Sequence, residues 1–237
     1  MKKLYFLLAI VASYCHGQNI QYVISSYEDP EAKEKIMTHQ KSLKELDDVN
    51  VFSAIHSQLI PTLVKKHEDF FTSRPYYELL SIAKGDIFQN NKNDYAFIVY
   101  TKKDERILIV LYNENSNKYD VLFRDIKIEN RLITANCNYS TSRTLDYQIG
   151  EEIIYQKDLL KKNPESYLES TICKVTDITK DKDFILDRGC FSDATFKSNR
   201  INSLCISTDS VYNNWECMKY DKERNVFIVF YSQAFAD

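Results

Sequence analysis

The sequence predicts an α+β, β-rich fold in which a helical N-terminal segment packs on an antiparallel sheet and a disulfide-containing part follows. Three observations predict it. Apolar residues recur at near-helical spacing between residues 29 and 70. Short β-branched and aromatic runs separated by polar turns take over after Pro75. The cysteines downstream of the leader all lie beyond residue 136. With 44% hydrophobic and 13% aromatic residues, the 237-residue chain can bury one sizeable core or two small ones.

The chain opens with Lys2 and Lys3, an apolar stretch from Leu4 to Ala12 and a short polar segment from Ser13 to Gly17, the order of regions in a secretory signal peptide. Cleavage near Gly17 is expected, with export to the periplasm or the medium as a secreted protein. A lipid anchor on Cys15 is disfavoured by bulky Tyr14, which stands where a small residue is required. No later run reaches the roughly 18 to 20 apolar residues of a transmembrane helix.

Asp29 and Pro30 have the character of an N-cap and first helical residue, and Ala32, Ile36, Leu43 and Leu46 follow at helical spacing. A second helical stretch starts near Asn50 with Phe52, Ile55, Leu59, Leu63 and Phe70 on one face, and Pro61 implies a kink or two consecutive helices. Strands are then predicted at Ala96 to Tyr100, Ile107 to Tyr112 and Tyr119 to Phe123, as an antiparallel meander. Further strands fall around Ile126 to Thr134, Ile172 to Ile178, Phe184 to Leu186, Leu204 to Ser207, Tyr212 to Tyr220 and Val226 to Tyr231, with a helix near Glu151 to Lys162. The runs Ile107 to Leu111 and Val226 to Phe230 are apolar at every position, so both faces of their sheets should be covered. The segments from Tyr100 to Tyr112 and from Tyr220 to Tyr231 look alike, as an internal repeat or as two hairpins solving one burial problem. The cysteine distribution suggests a first part over 18–135 and a cysteine-containing β-rich part over 136–237. No Gly/Ser/Pro-rich linker separates them, which leaves one continuous domain open.

Composition excludes several function classes. The 31 basic and 34 acidic residues give a net charge of -3, or -5 without the leader's two lysines, so there is no electrostatic footprint for nucleic acid. Four glycines, one of them in the leader, allow no Gly-x-Gly or Walker-type phosphate loop. Beyond the leader remain Cys137, Cys173, Cys190, Cys205 and Cys217. In an oxidising compartment these favour disulfides, with Cys205–Cys217 the preferred pair, and their spacings do not suit zinc.

The stretch from Gly85 to Ala96, Gly-Asp-Ile-Phe-Gln-Asn-Asn-Lys-Asn-Asp-Tyr-Ala, leads straight into a strand. It resembles the calcium-loop unit of FG-GAP/VCBS-type repeats in exported bacterial proteins, and the likeness extends over residues 85–124. The resemblance implies a hard cation held by side-chain oxygens at alternate loop positions, with Asp86, Asn90 and Asp94 as ligands and calcium as the possible cofactor. Phe88 departs from the pattern, since a ring replaces an oxygen ligand, and Asn91 stands where a glycine is expected. The alternative is a turn held by Asx side-chain hydrogen bonds.

His39, His56 and His67 all fall in the predicted helices and read as exposed or cap-type residues, too isolated for a triad or a His-Glu-x-x-His site. Two carboxylates suffice for glycoside hydrolysis, and Glu151-Glu152 and Asp47-Asp48 are the adjacent pairs, although neighbours in sequence point apart. Seventeen tyrosines and one tryptophan offer flat contact area with polar tips. Tyr76, Tyr77, Tyr139, Tyr147, Tyr212 and Trp215 are candidates for contact with a protein or glycan of the cell envelope. The leading expectation is therefore an exported, non-catalytic binding or interaction protein. The alternatives are a carboxylate-based hydrolase acting on an envelope polymer, or an inhibitor or immunity-type protein.

Overall fold

The computed structural model describes residues 21–22, 27, 32–122, 124–126, 128–130, 145–164, 166–169, 172–178, 180, 202–209, 214–223 and 225–233. The expected leader, the capping pair Asp29 and Pro30, the strand at 184–186, and Cys137, Cys190, Tyr139 and Tyr212 lie outside them.

The architecture is α+β. Helices α1 (Lys33–Asp48), α2 (Val51–Leu59) and α3 (Lys65–Thr72) come first. A 3-10 turn, Ile60–Thr62, separates α2 from α3 with Pro61 near its start, because a proline ring removes the N–H that would continue α2. A four-stranded antiparallel meander follows, in the order β2 (Tyr77–Gly85), β3 (Asp94–Thr101), β4 (Arg106–Asn113), β5 (Lys118–Val121). The second sheet has six strands in the order β1 (Gln21–Tyr22), β6 (Ile128–Asn130), β10 (Val226–Gln233), β9 (Asn214–Asp221), β8 (Ser203–Asp209), β7 (Cys173–Thr176). All its pairings are antiparallel except β6 with β10. Helices α4 (Leu145–Tyr155), α5 (Lys157–Lys162) and α6 (Ser166–Glu169) connect its halves, so the helix expected from Glu151 begins six residues earlier.

The Ile107 to Leu111 run of β4 is apolar at every position because the strand is covered on both sides. Ile107, Ile109 and Leu111 join the main core with Leu43 and Leu46 of α1, Phe52 and Ile55 of α2, Ile149 and Ile153 of α4, and Leu204, Met218 and Phe227 of the six-stranded sheet. Val110 and Tyr112 point the other way, into a second cluster with Phe97, Val99 and the α3 residues Phe70 and Phe71.

β2 was missed by pattern because its register shifts between Leu79 and Ser81, which leaves Leu79 and Leu80 both buried and breaks the alternation. The Leu79 N–H donates to His56 Nδ1 at 2.8 Å and so ties this strand to α2. At its end, a Cβ on Gly85 would lie 2.6 Å from Val175 Cγ1 of β7, so glycine is what lets the two sheets meet here.

Cys205 and Cys217 face each other across β8 and β9 and form the expected disulfide, whereas Cys173 is a buried free thiol pushed up to about 12 by burial. The two look-alike segments are both hairpins with four-residue loops. They are β3–β4 and β9–β10, but the bond from a tyrosine hydroxyl to an asparagine five residues on is shared by β9–β10 (Tyr220 to Asn225, 2.5 Å) and β4–β5 (Tyr112 to Asn117, 2.6 Å), not by β3–β4. Both asparagines take a positive φ, as the last loop position requires.

Candidate functional site

The 85–94 loop brings Asp86, Asn90 and Asp94 together through hydrogen bonds. Asp86 Oδ1 accepts the backbone N–H groups of Asn90 (2.6 Å) and Asn91 (3.0 Å). The fully buried Asp94 carboxylate accepts Phe88 N (2.9 Å) on one oxygen, and Glu114 N (2.9 Å) and Asn90 Nδ2 (3.1 Å) on the other. Asn90 Oδ1 accepts Lys92 N at 2.8 Å, which orients its amide with nitrogen, not oxygen, toward Asp94. For a calcium ion to enter, this amide would have to turn over and three N–H donors would have to leave Asp94. The donor set fits an Asx-locked turn better than the ion.

The departures from the ligand pattern have their own cause. Phe88 is buried against Tyr220 and Phe227, with ring centroids 5.1 and 5.6 Å away, Gln89 Nε2 donates to Tyr220 O at 2.5 Å, and Asn202 Nδ2 donates to Asp86 Oδ2 at 3.3 Å. The loop rivets the meander to the six-stranded sheet. Asn91 adopts φ 59°, the conformation that glycine would otherwise supply.

The proposed aromatic contacts separate into two groups. Trp215 lies on β9, only 6% exposed, with Lys174 Nζ 4.6 Å from its ring centroid, so it offers little surface to a partner. Tyr147 is half-buried and stacks on His39 at 4.5 Å. Tyr76 and Tyr77 are also half-buried, at the entrance to β2 and edge-to-face at 4.7 Å. Lys103 Nζ sits 3.6 Å above the Tyr76 ring, and Arg74 covers Phe70 at 4.1 Å, next to Tyr77. The result is a strip of rings and cations along one end of the meander.

Lys103 also lines an adjacent cleft of about 580 Å³ together with Tyr27, Lys33, Met37, Arg106 and Arg124. Arg106, the first residue of β4, is 9% exposed, and its guanidinium carbon lies 4.8 Å from the centre of the Tyr27 ring. Sequence reasoning missed it, although a charge heading an otherwise apolar strand was the available signal.

The expectation of solvent-facing helix histidines is overturned for two of three. His39 completes the inward stripe of α1 between Ile36 and Leu43, and His67 of α3 is fully buried among Tyr95, Phe97, Tyr112 and Tyr119. Burial lowers each to about 4, keeping both neutral, and the Nδ1 atoms meet Tyr27 Oη (3.1 Å) and Tyr119 Oη (2.6 Å). His56 Nδ1 is taken up by β2 and lies 3.4 Å from Glu78, whose other oxygen binds Lys102 at 2.6 Å. Glu151 and Glu152 diverge as neighbours do: Glu151 is exposed, and Glu152 is buried and accepts Gln156 Nε2 at 2.6 Å. Among the described residues no group of three His, Cys, Asp or Glu side chains is placed to hold a metal ion, and no helix is long and apolar enough to cross a membrane.

No protein-family model, curated protein or solved structure matches this chain.

Proposed function

We propose that the chain is an exported, non-catalytic binding protein that meets a protein or glycan of the cell envelope through the tyrosine–cation strip at Tyr76 and Tyr77. The observation that carries this reading is the pairing of two half-exposed rings with Lys103 and Arg74 beside an open cleft. Aromatic and guanidinium groups in this arrangement supply contact area at little conformational cost. The Cys205–Cys217 disulfide is compatible with export to an oxidising compartment. The described histidines and cysteines are committed to packing, pairing or burial, which disfavours nucleophilic catalysis.

The test is crosslinking and capture from the native envelope, comparing the natural chain with a Tyr76→Ala, Tyr77→Ala variant. A stoichiometric partner captured by the first and lost by the second, at unchanged melting temperature, supports the reading. Turnover of a glycan or peptidoglycan fragment, abolished by a single Asp or Glu substitution, would replace it with the hydrolase.

A further inference from the structure

The cleft beside the strip contains a buried charge, Arg106, that makes no ion pair among the described residues, although the buried carboxylate of Asp146 acts on the same Tyr27. Arg106 has five N–H donors on a side chain about nine-tenths buried, and its Nε has no hydrogen-bond partner. Among the described residues no carboxylate lies within ion-pair distance of it. Asp104, on the rim, is bonded to Arg124 at 3.2 Å. The Tyr27 ring face compensates only in part. Burying an unpaired guanidinium is costly, and the side chains around it deepen the cost, because Lys33, Lys103 and Arg124 add three more cations against the acids Asp104 and Glu105. A fold that stacks cations here is built to receive negative charge.

We infer that this cleft binds a small organic anion, a carboxylate or phosphate monoester on an apolar body, with Arg106 as the bidentate receptor at its base. The volume of about 580 Å³ suits a small molecule rather than a polymer segment. The apolar body has a place against Ile36 and Met37, the latter 61% exposed on the same wall, and Tyr27. A guanidinium fork matches the oxygens of either headgroup. Lys33 at the rim adds attraction without touching the core. The inference rests on the binding reading of this end of the meander and names the class of ligand that reaches it.

The test uses the purified, oxidised chain with hexanoate and phenyl phosphate as probes, acetate and inorganic phosphate as bare anions, and chloride at equal ionic strength as reference. Titration calorimetry and melting temperature are the readouts. Hexanoate or phenyl phosphate should bind and raise the melting temperature, and whichever binds more tightly identifies the headgroup. Arg106→Leu should weaken that binding by about tenfold or more while the ligand-free protein melts no lower, since a costly unpaired charge has gone. Lys33→Glu, on an exposed residue, should weaken it several-fold with the fold untouched, and it serves if Arg106→Leu does not fold. Equal binding by the natural chain and both variants, or no response beyond that to chloride, overturns the proposal. So does a stability loss shared non-additively by Arg106→Leu and a Glu28→Gln, Asp29→Asn, Glu31→Gln variant, because the chain's own acids would then be the counter-charge. These readouts need no envelope partner, so failure of the cleft and failure of the Tyr76–Tyr77 surface are told apart.

Discussion

The ring of His39 occupies the space in which a side chain at position 150 would begin: a Cβ built on Gly150 would lie 2.0 Å from His39 Cε1 and 2.5 Å from its Nε2. The ring cannot retreat easily, held as it is by the Tyr27 hydroxyl and stacked on Tyr147. Glycine inside a helix normally costs about 1 kcal/mol relative to alanine, so Gly150→Ala would stabilise α4 if propensity decided. Here overpacking outweighs it, and we expect a net loss of about 2 kcal/mol in urea unfolding. His39→Ala combined with Gly150→Ala should recover part of that loss, and strict additivity in the double-mutant cycle would refute the contact.

His39 and His67 also make stability depend on pH. Each titrates near 6.5 when unfolded and near 4 when folded, because burial disfavours the charged ring. Between those values the unfolded chain binds more protons, so stability is full above pH 6.5 and falls as pH drops toward 4. The slope approaches about 1.4 kcal/mol per pH unit for each ring. Urea midpoints measured from pH 7.5 to 4.5 should show the fall, to which His56, lowered in the same direction by burial, also contributes, and His67→Gln should flatten it in part.

Asp94 tests the 85–94 loop. Asp94→Ala strands three N–H donors around a fully buried position and should cost about 3 kcal/mol. Millimolar calcium should leave the melting temperature of the natural chain unchanged. A calcium-dependent rise that vanishes in Asp86→Ala, Asp94→Ala would put an ion in the turn.

The third hairpin loop, between β3 and β4, lacks what the other two have. Glu105 takes φ 51° at the position of Asn117 and Asn225, and the buried Tyr100 hydroxyl finds no partner. Glu105→Asn should relieve the left-handed backbone and give Tyr100 an acceptor, a gain of about 1 kcal/mol by thermal unfolding. No gain would show that Tyr100 is satisfied some other way.

What the sequence could and could not disclose follows from range. The unbroken apolar run of β4 announced that both faces are covered, and Pro61 announced the end of α2, because each signal acts within a few residues. β2 hid behind a one-residue register shift. His39 read as an exposed helix residue because its partner, Gly150, is more than a hundred positions away. Asp86, Asn90 and Asp94 were brought to notice by the resemblance to a calcium loop, but whether their oxygens face an ion or backbone N–H groups is set by the register with β4. Trp215 stood out by rarity, which says nothing about burial. Arg106 drew no notice since its burial without an ion pair among the described residues exists only in three dimensions.

The placement of β6 makes the larger sheet depend on a long-range pairing. The meander closes through loops of eight, four and four residues, so each strand finds its neighbour close by along the chain. β6 sits between β1 and β10, whose Phe227 lies opposite Ile128, about 100 residues away along the polypeptide. β10 is also the neighbour of β9, so this single strand joins the two halves of the larger sheet, and without it the edges of both β6 and β9 would be unpaired.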